Sequence, residues 1–363
     1  MPAEQLTHRP TLKELLEGIV AAPPVALTGI ASDSRNVERG ALFLACPGEQ
    51  HHGADFIAQA IEAGAAAVLF DATTANPEVD GVPVFGIEDL PAKIGTLTNR
   101  FYSDPSAAVR VIGVTGTNGK TTVSWLAAQC LTRLGNRCGY VGTLGSGIDT
   151  ISESTTLTTP DAATLQQRLA SFRDQAASFA SIEVSSHALD QNRIAGVSFD
   201  TVLFTNLSRD HLDYHGSMQA YAEAKAKLFT ATPALRRIIN LDSEFGMQLA
   251  NRCGQDVITV STNFDRVANG RPYVFVRSVV ARESGSQVTV ASSWGETEFL
   301  LPLVGDFNVA NAVIVLALLL SLGVPLADAS AVLADVEAPP GRMQRVPDMS
   351  ERPGPSVYVD YAH

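Results

Sequence analysis

The chain carries two rhythms of apolar and polar positions, and they divide it near residue 105. Thr11-Leu-Lys-Glu-Leu-Leu-Glu-Gly18 opens a helical pattern over residues 11–20, with Thr11 and Glu14 spaced as a capping box and Gly18 as a stop. Residues 41–46 form a short apolar run that reads as a buried strand. Residues 55–63, closed by Gly64, read as a helix, 65–70 as a strand, and 82–87 as a strand followed by a helical pattern up to Tyr102. This alternation predicts a small α/β unit over residues 1–105, with Ser103-Asp104-Pro105-Ser106 as a hinge.

From Val109 the alternation restarts. Strands are predicted at 109–114, 138–142, 179–184, 201–205, 237–241 and 256–260, with helices at 120–134, 161–172, 217–230 and 243–251 between them. Strands separated by helices of this length imply a mainly parallel, doubly wound α/β sheet. Residues 273–303 change to a period of two, with turns at Glu283-Ser-Gly-Ser and Trp294-Gly295, which predicts an antiparallel appendage. Helices at 308–322 and 326–336 follow. Ala338-Pro-Pro-Gly-Arg342 and Glu351-Arg-Pro-Gly-Pro355 read as linker, and Val357–His363 as a strand opening onto a functional loop. A chain that stops on a fresh strand leads us to expect a further domain.

Composition narrows the class. Of 363 residues, 45% are hydrophobic and 18% charged, which fits packed globular domains. The net charge of −12 argues against nonspecific binding to nucleic acid or to an anionic membrane. The longest apolar run, Ala312–Leu320, is about half of what a membrane span requires. Cys46, Cys130, Cys138 and Cys253 lack metal-ligand spacing and are expected to be reduced, buried thiols.

The most specific chemistry is at Gly113-Val-Thr-Gly116-Thr-Asn-Gly119-Lys120-Thr121-Thr122, after an apolar strand and at the start of a helix. Glycines let backbone N–H groups turn around a phosphate, and the helix N-terminus adds its dipole. Lys120 would bridge the terminal phosphates and the Thr121 hydroxyl would ligate Mg²⁺. The loop departs from G-x-x-x-x-G-K-[ST]: Val114 stands where the strict spacing has glycine. An ordinary Gly-rich turn is the alternative, and it leaves Gly-Lys-Thr-Thr at the helix start unexplained.

Two later strand ends point to the same place, because ligands of open α/β sheets bind beyond the carboxyl ends of strands. Glu183, in Ile182-Glu-Val-Ser-Ser-His187, can hold Mg²⁺ directly or through water, or cap a neighbouring helix. Asn206-Leu-Ser-Arg209-Asp210-His211-Leu-Asp213-Tyr-His215 gathers an amide, an Arg, two Asp and two His without zinc-like spacing. A hard cation with phosphate fits this set better than zinc. Lys225 lies on the following helix, where composition alone reads a solvated face. Thr158-Thr159-Pro160-Asp161 reads first as a helix cap. Asn308 and Asn311, one turn apart, face a base or ribose or simply cap.

Taken together, these motifs resemble the ATP-dependent Mur ligases of peptidoglycan synthesis, and among them the tripeptide-forming branch. Asp33-Ser34-Arg35, Gly341-Arg342-Met343 and Val359-Asp360-Tyr361-Ala362-His363 match as well, so the resemblance runs from about residue 12 to residue 363. It implies an N-terminal UDP-substrate-binding domain (1–105), a central ATPase domain (106–337), and a linker with the first strand of a truncated C-terminal domain (338–363). It implies ATP and Mg²⁺ as cofactors, and UDP-MurNAc-L-Ala-D-Glu and a diamino acid, meso-diaminopimelate before lysine, as substrates. A cytoplasmic monomer is expected. The D-Glu carboxylate would become an acyl phosphate, which the incoming amine attacks.

Carried over by position, Ser32, Ser34, Glu49, Gln50 and His51 would contact the uridine nucleotide part. Thr158, Thr159, Ser185, Gln191 and Arg193 would hold the muramoyl dipeptide. Gly116, Thr117, Asn118, Gly119, Lys120, Thr121 and Thr122 would bind ATP, with Asn308, Asn311 and Arg342 near the nucleotide. Thr121, Glu183, His211 and a carbamylated Lys225 would surround Mg²⁺, and Lys120, Lys225, His211 and Glu183 would carry the catalysis. Leu157 stands where some relatives have Asn. The family's C-terminal domain with its amino-acid-selecting loop is absent from this sequence, which leaves a binding fragment with weak ATPase activity as the alternative. A folylpolyglutamate-type ligase fits less well, because those enzymes begin near their phosphate loop.

Overall fold

A computed structural model describes residues 9–48, 51–73, 80–266, 270–346 and 357–360. The chain divides into two compact units: the described residues of 1–108, 160–174 and 191–197 form the first, and those of 109–159, 175–190 and 198–363 the second.

In the first unit, helix α1 (Leu12–Leu15) is capped as the spacing predicts but ends sooner. The Thr11 hydroxyl accepts from the Glu14 N–H at 3.4 Å, and the Glu14 carboxylate accepts from the Thr11 N–H at 2.7 Å. Strands β1 (Ile30–Ala31), β2 (Leu42–Ala45), β3 (Ala67–Asp71) and β4 (Val84–Ile87) form a parallel sheet in sequential order. Helices α2 (Ile57–Glu62), α3 (Leu90–Phe101) and the short α4 (Pro105–Ala108) accompany it. Leu42 and Leu44 enter one core with Leu12, Leu69 and Leu97, while Phe43 and Ala45 enter another with Ile57 and Val68. A strand buried on both faces needs this unbroken apolar run, since successive side chains point to opposite sides. Ser103 and Asp104, at the expected hinge, take positive φ angles of 55° and 44°.

The second unit starts with β5 (Arg110–Thr115), α5 (Lys120–Arg133), β6 (Cys138–Gly142) and β7 (Gly145–Ile148). Helix α6 (Ala162–Asp174) belongs to the first unit, where Ala163 joins the core of Leu12 and Leu97. The chain continues through β8 (Phe179–Glu183), α7 (Ser186–Asp190), β9 (Phe199–Phe204), α8 (Leu212–His215), α9 (Met218–Thr230), β10 (Ala234–Asn240), α10 (Glu244–Arg252) and β11 (Ile258–Ser261). Three long strands follow, β12 (Tyr273–Arg282), β13 (Gly285–Ser292) and β14 (Gly295–Leu301), then α11 (Asp306–Ser321) and α12 (Leu326–Leu333).

These strands make one sheet of ten, in the order β14-β13-β12-β11-β10-β9-β5-β8-β6-β7. From β11 to β6 neighbouring strands run parallel, as predicted. Residues 273–303 extend this sheet: β12 lies parallel to β11, β13 runs antiparallel to β12, and β14 turns back antiparallel to β13. Strand β6 lies where it is predicted, while its hairpin partner β7 and the short helices α7 and α8 escape the sequence pattern, because four- and five-residue elements show too little periodicity. Helix α12 ends at Leu333 rather than at residue 336. Helix α11 is buried from Val313 to Leu320 on every side, so its apolar run is a core element. Among the described residues no helix is long and apolar enough to cross a membrane.

Strand β5 lies between β8 and β9; its own connection, through α5, leads to β6 on one side, while the neighbouring β9 leads to β10 on the other. That switch point opens a crevice at the strand ends. Residues 116–119 follow β5 there.

Candidate active site

The loop from β5 to α5 is held by backbone geometry that only glycine supplies at two points. Gly116 has a φ of 152°, and a side chain there would meet the Thr205 hydroxyl at 1.9 Å. Gly119 has a φ of 81°, and a side chain would meet the Asn311 amide oxygen at 2.4 Å. Helix α5 therefore starts without a side-chain cap, which leaves its first turn to face an anion.

A second strand end fastens the loop. The Asn118 N–H donates to the Asn206 side chain at 2.9 Å, whose amide donates back to the Asn118 carbonyl at 3.1 Å. The Thr205 hydroxyl donates to the same carbonyl at 2.6 Å. The Thr117 hydroxyl accepts from the Ser208 N–H at 3.0 Å and from the Tyr221 hydroxyl at 3.1 Å. The polar segment after β9 thus shapes the phosphate loop.

Two lysines converge on one carbonyl. Lys120 Nζ donates to the carbonyls of Gly116 at 3.0 Å and Thr117 at 2.8 Å, and Lys225 Nζ donates to Gly116 at 2.8 Å. Lys225 is 1% exposed, so the solvated-face reading is corrected. It sits 4.4 Å over the Tyr221 ring. Burial, with the charge of Lys120, holds its proton affinity well below the usual lysine range despite Asp210. Burial also lowers the pKa of Lys120; Glu183 and Asp210 oppose the shift, and Arg342 adds to it.

Glu183, fully buried at the end of β8, is held by four donors. The Tyr140 hydroxyl reaches Oε1 at 2.5 Å and the Thr143 N–H reaches it at 2.9 Å. The hydroxyls of Thr121, at 2.9 Å, and Thr143, at 3.2 Å, reach Oε2. The carboxylate thus binds the start of α5 and the β6–β7 turn rather than capping a helix. Thr159 donates to the Glu183 carbonyl at 2.7 Å and accepts from the Ser185 N–H at 3.0 Å, while Thr158 meets the Thr143 hydroxyl at 3.2 Å. The cap predicted over 158–161 comes from Asp161, which accepts from the Ala163 and Thr164 N–H groups at 3.0 and 3.1 Å.

His211 stands apart from Thr121 and Glu183 in its contacts. Its ring packs against His187 at 5.0 Å and Tyr221 at 6.0 Å, and its Nε2 lies 3.5 Å from Asp210. His215 completes the aromatic group, 5.5 Å from His187, and meets the Ser186 hydroxyl at 2.9 Å. Among the described residues no three His, Cys, Asp or Glu side chains are grouped to hold a metal. Asn308 and Asn311 are buried; Asn308 donates to the Val304 carbonyl at 2.8 Å.

In the first unit, the Ser32 hydroxyl donates to Asp161 at 3.0 Å and Ser34 to Gln59 at 3.1 Å. Arg193 donates to the Gln191 amide oxygen at 2.9 Å, and His51 packs edge-on against Phe56. Glu49 and Gln50 lie outside the described residues, as do Tyr361, Ala362 and His363. All four cysteines are free; Cys130 and Cys138 are buried, whereas Cys46 and Cys253 are partly exposed.

Residues 114–319 match the Mur ligase middle domain, and residues 26–102 match the Mur ligase family, catalytic domain. The UDP-N-acetylmuramoyl-L-alanyl-D-glutamate--2,6-diaminopimelate ligase of Alkalilimnicola ehrlichii is 44% identical over 347 residues, covering 92% of this chain and 68% of that protein. The chain belongs to the Mur ligase family. The protein of the same name from Pseudomonas aeruginosa is 45% identical over 335 residues, with 91% of this chain and 67% of that one aligned. A solved UDP-N-acetylmuramoyl-L-alanyl-D-glutamate--2,6-diaminopimelate ligase superposes with a TM-score of 0.81 at 31% identity, covering 98% of this chain and 72% of that one. The UDP-N-acetylmuramoylalanyl-D-glutamyl-2,6-diaminopimelate--D-alanyl-D-alanyl ligase of Acinetobacter baumannii shares the fold with a TM-score of 0.70 at 20% identity, over 94% and 72% of the two chains.

In this Mur ligase, sequence reasoning missed Tyr140, Thr143, Thr205 and Tyr221. Thr143 and Thr205 had a readable signal, since both stand at ends of predicted strands. Tyr221 lies one helical turn before Lys225 and shares its face. Tyr140 sits in mid-strand, where an aromatic residue ordinarily reads as core.

Proposed function

We propose that this chain is an ATP-dependent amide-forming ligase of peptidoglycan precursor synthesis. It would join the amino group of meso-diaminopimelate to the D-Glu carboxylate of UDP-MurNAc-L-Ala-D-Glu. The observation that carries this reading is the convergence of Lys120, Lys225, Thr121 and Glu183 on one strand-to-helix loop in a chain of this family. The names of the two relatives described above support diaminopimelate over lysine as the acceptor.

A carboxylate is a poor electrophile until one oxygen becomes part of a phosphate leaving group. The γ-phosphoryl group of ATP would pass to the D-Glu carboxylate with release of ADP, and the amine would then displace phosphate as the amide bond forms. The chain's part is to place and neutralise charge. Residues 116–122 would cradle the phosphates at the start of α5. Lys120, now folded back on the loop carbonyls, is long enough to turn toward them.

The donor set suits Mg²⁺. Thr121 and Glu183 offer two hard oxygens, too few for an all-protein cage and typical of a cation completed by phosphate oxygens and water. Such an ion would neutralise charge on the transferred group. Burial of Lys225, which holds its proton affinity well below the usual lysine range, favours the amine form that adds CO₂. The resulting carbamate would keep one N–H, able to stay on the Gly116 carbonyl, and would add a carboxylate whose charge suits the nearby Lys120 ammonium. Arg342 would counter phosphate charge, and Asn308 and Asn311 would border the nucleotide. In the first unit, Ser32, Ser34, His51, Gln191 and Arg193 are candidates for contacts with the UDP-linked substrate; in the second, Thr158, Thr159 and Ser185 are candidates for contacts with the dipeptide. We place the protein in the cytoplasm as a monomer.

Phosphate release, measured with ATP, Mg²⁺ and each substrate in turn, tests the reading. Release that needs both UDP-MurNAc-L-Ala-D-Glu and diaminopimelate is expected. Release indifferent to both would make the chain a simple ATPase, and a preference for lysine would overturn the acceptor.

A further inference from the structure

Tyr140 has two sides with different surroundings. Its hydroxyl belongs to the phosphate site through Glu183, at 2.5 Å. Its ring borders a cavity of about 140 Å³ between α5 and the β6–β7 hairpin. Trp125 and Ala128 from α5, Cys138 beside Tyr140 on β6, and Ile151 make the apolar wall. The Trp125 and Tyr140 rings meet edge to face at 5.5 Å. Among the described residues, none assigned above to nucleotide, substrate or cation lines this space.

Size and chemistry limit what fits. A mainly apolar cavity of about 150 Å³ is known to hold a benzene molecule in another protein. Two charged side chains border the cavity, and each is already paired. Arg133 lies 3.6 Å from Asp335 and 3.7 Å from Glu337, and Asp149 lies 3.7 Å from Arg137. A charged guest would have to compete with those pairs, whereas an aromatic ring finds two aromatic partners in favourable geometry.

We propose that this cavity binds a small uncharged molecule built on one aromatic ring, and that Tyr140 couples the cavity to Glu183. A guest wedged against the phenol moves the ring, and a 2.5 Å hydrogen bond has no slack to absorb the movement. The backbone is not free to follow, because β6 is paired with β8 up to Val141 and Ile182. Glu183 then loses one of its four donors, and its carboxylate gains freedom to turn against the Thr121 hydroxyl that bonds its other oxygen. The guest therefore opposes ligand binding at the phosphate loop, and the opposition is reciprocal. This last step rests on the nucleotide reading of the loop; the cavity itself does not.

The test uses 4-fluorobenzyl alcohol and its ¹⁹F signal. Saturable line broadening is expected with the wild-type chain, and at least tenfold weaker binding with Ala128→Leu, which fills the cavity. Thr132→Phe, at an exposed lining residue, should block it equally without disturbing the core. Absence of saturable binding, or wild-type binding by both variants, overturns the site. Tyr140→Phe has no bond to break, so it should take the probe severalfold more tightly; unchanged affinity overturns the coupling. The probe should weaken Mg²⁺–ADP binding three- to tenfold in wild type and leave it unchanged in Tyr140→Phe. A chain that takes the probe yet binds no ADP would overturn the nucleotide reading and leave the cavity standing.

Discussion

The phosphate loop and the candidate residues of the first unit differ in how many of their bonds cross long stretches of chain. Around residues 116–122 the fixing bonds join groups 62 to 109 positions apart, as in Thr121 with Glu183 and Lys225 with Gly116. In the first unit, Ser32 reaches Asp161 across 129 positions and Ser34 reaches Gln59 across 25, but Arg35 pairs with Asp33 and Arg193 with Gln191, each only two positions away. Long-range bonds among buried groups hold a site in one shape before any ligand arrives. Local pairs on exposed side chains can rearrange at small cost. Substitutions in the loop should therefore disturb fold and activity together, and substitution of an exposed, locally paired residue such as Arg35 should leave the fold unchanged.

The largest expected effect is on chemistry. Lys120→Ala should lower ATP-dependent phosphate release by at least about 100-fold, the scale of losing one positioned charge in a transfer site. Activity near wild type would remove Lys120 from the site. Next comes stability: Glu183→Ala strips the acceptor from Tyr140, Thr143 and Thr121, at a cost of about 2–3 kcal/mol for buried donors left unpaired. Urea unfolding measures it, and an unchanged midpoint would contradict the tight loop architecture.

Gly142→Ala gives a sharper version of the same comparison. The added carbon would lie 2.1 Å from Glu183 Oε1 and 2.4 Å from the Tyr140 hydroxyl, which should cost about 1–3 kcal/mol. A smaller, pH-dependent effect belongs to His215. Burial lowers its pKa from 6.5, helped by Lys225, His211 and Lys227 and opposed by Asp190. As pH falls through 6.5 the unfolded chain takes the proton first, so folding stability declines there. His215→Gln should flatten that stretch of the curve, and an equally steep variant would dismiss the residue. The smallest effect is that of Arg35→Ala: the Asp33–Arg35 pair is solvent-exposed, so the melting temperature should not move. A clear drop would erase the contrast between the two regions.

Much of this division was legible in the sequence. The alternation of apolar runs and helical patterns located most strands of both sheets, because fully buried parallel strands need continuous apolar stretches, but not the two-residue β1 or the Gly-rich β7. Gly116, Gly119, Lys120 and Thr121 were readable because phosphate binding demands backbone freedom and a helix start at fixed spacing. Helix α6 was visible as a helix, but its place in the first unit was not, since local patterning does not report which core a face enters. Lys225 shows the same limit. Its alanine-rich surroundings look like an exposed face, and only the packing of α9 against the loop buries it. Tyr140 was hidden for the opposite reason: a tyrosine in a strand looks like core, and its ring is core, while its hydroxyl reaches the site.

The central claim is tested most directly by mass spectrometry of the reaction products formed by this chain from ATP, Mg²⁺, UDP-MurNAc-L-Ala-D-Glu and meso-diaminopimelate. The account predicts one new amide-linked UDP-muramoyl tripeptide for each phosphate released, with Lys120→Ala forming none at matched time. Phosphate released with no tripeptide, or tripeptide formed equally by Lys120→Ala, would contradict it.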